Sequence, residues 1–131
     1  MPPSKFSILI VDEDSRASRI VRDRFGKAFP EIRVEIAGSA AKASAICSRF
    51  PPSWIVWDGH PLNGVPLSHY VVCIPDPLWK KVIPVSSDPV ALDAAKAKGA
   101  LPPVPKQPES FHAWTEALVE TVRQLIPAKR R

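Results

Sequence analysis

The chain has 131 residues, enough for one domain that buries about two thirds of its unfolded surface without disulfide or metal staples, and too few for two. Its 45% apolar and 24% charged residues exclude a disordered chain, and no run of about eighteen apolar residues marks a membrane span. A formal net charge of +5 admits an acidic partner, yet much of the excess is local. Arg16, Arg19, Arg22 and Arg24 share one helical segment, read as a solvated face, and Lys129-Arg130-Arg131 form a basic tail over residues 128–131, behind a domain of residues 5–127. Cys47 and Cys73 sit in apolar patterns and read as reduced core thiols. With no apolar leader stretch behind Met-Pro-Pro-Ser-Lys, the expected location is cytoplasmic.

The first element is a strand over Phe6–Val11, whose branched run Ile8-Leu9-Ile10-Val11 reads as buried. It delivers Asp12-Glu13-Asp14 to the carboxyl edge of a sheet, where open α/β folds place their sites. Acids so close repel one another unless a cation or a shifted pKa relieves them, which points to a metal site. Asp14 reads as the N-cap of a helix whose stripe is Ala17, Ile20, Val21, Phe25 and Ala28. A second strand spans Arg33–Ile36, and a second helix with Ser39 as its cap carries Ala40, Ala43, Cys47 and Phe50. The third strand, Ser53–Trp57, ends in Asp58. Pro66 and Pro75 bracket a third helix around Leu67–Ile74, predicted short or distorted. A fourth strand, Val82–Val85, runs into Ser86-Ser87, and a helix opens at Asp88-Pro89 to end at Gly99. The fifth strand is Leu101–Val104, followed by Lys106. Phe111, Trp114, Leu118, Val122 and Leu125 define the last helix, stopped by Pro127.

Five strand and helix pairs in strict alternation predict a doubly wound five-stranded parallel sheet with helices on both faces. Pro102, Pro103 and Pro105 each remove a ladder donor, so the fifth strand belongs at an edge. The flavodoxin-like order 2-1-3-4-5 supplies that edge and makes the first and third strands neighbours. The acids Asp12, Glu13 and Asp58, the hydroxyl of Ser86 and the ammonium of Lys106 then converge from four strand ends.

In that arrangement the chain, over about residues 6–126, resembles a receiver domain of the bacterial two-component response regulators, close in plan to the stand-alone chemotaxis type. The segment ILIVDEDSRASRIVR follows the family's first strand and helix. The resemblance places Asp12 and Glu13 as the metal-binding acidic pair for Mg²⁺, Asp58 as phosphoacceptor and further ligand, Ser86 as the switch hydroxyl and Lys106 as the conserved-type lysine. It assigns a further metal contact to the backbone carbonyl of His60. It implies a single-domain response regulator that accepts a phosphoryl group from a histidine kinase or phosphotransfer protein and signals to a downstream protein by docking or relay. Such a switch catalyses only its own phosphoryl transfer and dephosphorylation.

The pattern also departs from the family. The loop Asp58-Gly59-His60-Pro61-Leu62-Asn63-Gly64 is shortened, Pro103 stands where an aromatic switch residue is expected, and Gln107 replaces a proline. These departures keep open a second reading, a pseudo-receiver that binds proteins without phosphorylation. Ser86-Ser87 also fits a simple turn before the fourth helix. Nucleic acid is an unfavoured partner, because no helix-turn-helix or aromatic platform is left over, and no membrane partner is implied.

Overall fold

The computed structural model describes residues 6–59, 66–107 and 109–126. The first strand is β1 (Ser7–Val11), in which Ile8 to Val11 are buried, as stiff branched side chains on a pleated sheet favour. Around it lie α1 (Ser15–Ala28), β2 (Arg33–Ala37), α2 (Ala40–Arg49), β3 (Trp54–Trp57) and α3 (Leu67–Val72). A 3-10 helix over Asp76–Lys81 leads into β4 (Val82–Pro84), α4 (Pro89–Ala97) and α5 (Phe111–Leu125). The strands pair in parallel in the order β2-β1-β3-β4. This is the flavodoxin-like doubly wound arrangement, with β1 and β3 side by side.

Alternation along the strands builds two cores. Ile8, Ile10, Val56 and Ile83 face one side, where α1 contributes Val21 and Phe25 and α5 contributes Trp114, Leu118 and Val122. Leu9, Val11, Ile55 and Trp57 face the other, covered by Ala43 and Cys47 of α2, Tyr70 of α3 and Ala91 and Ala95 of α4. Both sheet faces are therefore covered by helices. Cys47 and Cys73 are free thiols in the second core, and burial pushes them up to about 11 and about 12.

The fifth position of the sheet is filled, but not by a regular strand. Leu101–Val104, expected as a strand, runs as an extended edge beside β4. Leu101 N–H donates to the Val82 carbonyl at 2.8 Å, Val104 to Pro84 at 2.9 Å and Lys106 to Val85 at 2.8 Å. The intervening residues are Pro102, Pro103 and Pro105, which have no donor to give. Every amide hydrogen in the segment is used, and the ladder still cannot become continuous.

The helix ends follow their caps. Asp14 accepts from the N–H groups of Arg16 and Ala17, Ser39 from Lys42 and Asp88 from Val90. After α4, Gly99 takes φ +89°. Ala100 N–H donates to Ala95 and Gly99 N–H to Lys96, the paired bonds of a Schellman ending that requires a left-handed residue there. The third helix is short, at six residues. The 3-10 helix after it, which buries Trp79, gave no periodic signal in the sequence. Residues 60–65, Pro127 and the basic tail 128–131 lie outside the described residues.

Candidate functional site

The sheet itself sets the site. Each strand's hydrogen bonding runs just past its last residue, so the residues that follow are held in register. Asp12 N–H donates to Ala37 at 3.1 Å, Asp58 to Val11 at 2.9 Å, Val85 to Trp57 at 2.9 Å and Lys106 to Val85 at 2.8 Å. Asp12, Asp58, Ser86 and Lys106 therefore sit together at the carboxyl edge of the parallel sheet.

Lys106 bridges the two aspartates. Its Nζ donates to Asp12 Oδ2 at 2.6 Å and to Asp58 Oδ2 at 2.5 Å. The three side chains expose only 16%, 7% and 9% of their surface, so the ammonium faces two carboxylates in a poorly solvated setting. Burial is the main reason the Asp12 carboxyl titrates above the usual range; Lys106 opposes the rise and Asp58 adds to it. Burial disfavours the Lys106 ammonium as well, but the charges of Asp58 and Asp12 and their hydrogen bonds outweigh it and raise its pKa. The trio carries one positive charge against two negative ones, and a second cation would balance it.

The neighbouring groups divide by role. Asp12 Oδ1 accepts from Asp14 N–H at 2.9 Å, which fixes the carboxylate's orientation. Asp14 caps α1, as expected, and is spent there. Ser86 is buried, and its Oγ accepts from Asp88 N–H at 3.1 Å, so it does close the turn into α4. A hydroxyl that accepts one bond keeps its own proton to donate, and the turn role does not exhaust it. Glu13 goes elsewhere: it accepts from the hydroxyl of Tyr70 on α3. Among the described residues, no three acidic, histidine or cysteine side chains gather as a ready metal cluster. The His60 carbonyl lies outside the described residues.

Two contributors were not singled out in the sequence. Tyr70 is one, a buried side chain whose pKa burial, then Glu13, drives far above the ordinary phenol range. Being the chain's one tyrosine, in a weakly patterned helix, was its only signal. Gly59 is the other. A Cβ placed there would lie 2.3 Å from the Trp57 ring, so only glycine lets the chain pass over the indole directly after Asp58. Trp57 in turn donates from Nε1 to the Tyr70 carbonyl at 3.0 Å and packs edge-on against Trp79.

The donor set suits a hard, partly hydrated divalent cation. The site offers the oxygens of two carboxylates around one ammonium, and such ions commonly take one or two protein carboxylates and keep several waters. Asp12 and Asp58 could hold one.

No model of a protein family matches the chain. No curated protein matches it either. Solved structures do. The response regulator domain of Thermotoga maritima CheB superposes with a TM-score of 0.69 at 19% identity, over 91% of this chain and 94% of that one. Vibrio cholerae chemotaxis protein CheY4 gives a TM-score of 0.69 at 17% identity, over 94% of this chain and 100% of its own. The N-terminal domain of a response regulator receiver protein from Methanoculleus marisnigri gives 0.63 at 16% identity, over 94% and 98%. At such identities the likeness is one of fold. The chain has the receiver-domain fold.

Proposed function

We propose that this protein is a single-domain response regulator that accepts a phosphoryl group on Asp58, with Mg²⁺ held by Asp12 and Asp58. The observation that carries the reading is the Lys106 ammonium shared between two buried aspartates at the carboxyl edge of a receiver-fold sheet. Phosphoryl transfer asks mainly for positioning and charge neutralisation, and a carboxylate nucleophile among cations answers both needs. Asp58 Oδ would attack phosphorus as the bond to the donor's leaving group breaks, whether imidazole from a phosphohistidine or acetate from acetyl phosphate. Lys106, already within bonding distance of Asp58, would pass to a phosphoryl oxygen, and Ser86 would donate its free proton to another. Asp12, fixed by Asp14 N–H, would keep its carboxylate aimed at the cation. Bound Mg²⁺ would supply neutralisation of the phosphoryl charge.

The donor would be a histidine kinase or phosphotransfer protein, and the output a docked downstream protein or onward relay. Among the described residues no helix is long and apolar enough to cross a membrane, and a cytoplasmic setting fits such a pathway. A specific observation favours the pseudo-receiver reading as runner-up: Pro103, at the position of the aromatic switch, is exposed and has no rotamer to exchange. The two readings separate on one experiment. Incubated with Mg²⁺ and beryllofluoride or acetyl phosphate, the native protein should show a shifted spectrum or a phosphoryl mass increment, and Asp58→Asn should show neither. No response where a control receiver responds would leave the interaction-module reading.

A further inference from the structure

The Glu13 carboxylate is not gathered with the two aspartates. It accepts from the hydroxyl of Tyr70, a residue of α3 that is 2% exposed. A hydroxyl donating to a carboxylate is among the stronger protein hydrogen bonds. The tyrosine is itself anchored twice through its backbone carbonyl, which accepts from Trp57 Nε1 at 3.0 Å and from Cys73 Sγ at 3.2 Å. The anchor therefore ties α3 to the strand that ends in Asp58. We propose that Tyr70 is a positioning residue that holds Glu13 back from the Asp12–Asp58 pair, so that Glu13 joins a divalent cation there only by giving up the tyrosine hydroxyl.

The physical argument is a competition for one carboxylate. A hard cation gains from a third oxygen ligand, while the hydrogen bond to a charged group must be broken to release it. Cation loading and the seating of α3 then become two states of a single contact. Such a contact would communicate site occupancy to α3. The proposal rests on the reading that Asp12 and Asp58 hold Mg²⁺.

Titration of the full chain with Mg²⁺ alone, followed by tryptophan fluorescence and calorimetry, tests it. Tyr70→Phe keeps the ring and removes the hydroxyl, and should bind Mg²⁺ about tenfold more tightly. That gain should vanish in the double variant with Glu13→Gln, and Glu13→Gln should cost less affinity in the wild type than in the Tyr70→Phe background. In the native protein the Tyr70 ring ¹³Cζ resonance should move as Mg²⁺ saturates, which keeps the test open if Tyr70→Phe does not fold. Wild-type binding with Tyr70→Phe equal or weaker, or an unmoved Tyr70 resonance at saturation, overturns the role of Tyr70 and leaves the Asp12–Asp58 reading standing. No binding by either protein overturns both.

Discussion

Removing the Lys106 ammonium tests whether the buried trio is held together by that one charge. Lys106→Met keeps much of the stem's packing and leaves Asp12 and Asp58 facing each other in a site that exposes less than a tenth of either side chain. Breaking a buried pair by deleting one partner costs about 3–5 kcal/mol. Lys106 retains 16% exposure, which lets some water screen the residual charges and favours the lower end, about 3 kcal/mol. For a domain of this size that is a fall of roughly 10 °C in thermal midpoint. The loss should depend on pH. Asp12 already titrates above its ordinary 3.8, chiefly through burial and further through Asp58. A raised folded-state value contributes stability that is full below the unfolded value and lost as pH rises through the folded one. Without the ammonium the rise grows, so the variant should lag the wild type most at neutral pH and close the gap as pH falls toward 4. Urea unfolding at a series of pH values reads this directly. A variant as stable as the wild type at pH 7, or a deficit that does not shrink in acid, would refute the ion-trio reasoning.

Other substitutions probe separate parts of the site. Asp58→Asn leaves one ammonium with one carboxylate and should raise the thermal midpoint by a few degrees, about 1 kcal/mol, while abolishing beryllofluoride binding. Gly59→Ala forces a methyl into the Trp57 indole, which is fully buried and hydrogen-bonded to Tyr70; the cost should be at least about 2 kcal/mol in urea unfolding, with a changed tryptophan emission. Asp14→Ala deletes the α1 cap and should cost about 1 kcal/mol with Mg²⁺ affinity little altered, which separates the cap from the metal-side acids.

Most of the site was legible because its signals were local and strong. Branched runs ending in acids marked β1 and β3, and the proline-marked edge strand pointed to the order that makes them neighbours, so Asp12, Asp58, Ser86 and Lys106 were expected together at the strand ends. The course of Glu13 was not legible. Its partner Tyr70 lies 57 residues away, on a helix of six residues whose placement depends on packing against Trp57 rather than on any periodic pattern. The 3-10 helix over Asp76–Lys81 escaped for a related reason, since its six residues, Pro77 among them, are too few to show a helical period. Gly59 carries no signal of its own in the sequence, and the indole beneath it gives the steric reason for its presence.

The proline-rich edge, which the sequence marks as a weak strand, is also what delivers Lys106. A regular edge strand would hold the lysine through a continuous ladder, whereas here three amides at Leu101, Val104 and Lys106 do so. The prolines offset what they remove. Each fixes φ near that of extended chain, so the segment has fewer unfolded conformations to lose when it settles beside β4. They also leave the outer edge poor in donors, which discourages another chain from pairing with it. The last of the three amides belongs to Lys106 itself, so the ammonium's reach to Asp12 and Asp58 starts from a backbone pinned to Val85, the residue just before Ser86. A segment too interrupted to be a strand can thus be stiff enough to place one charge between two others.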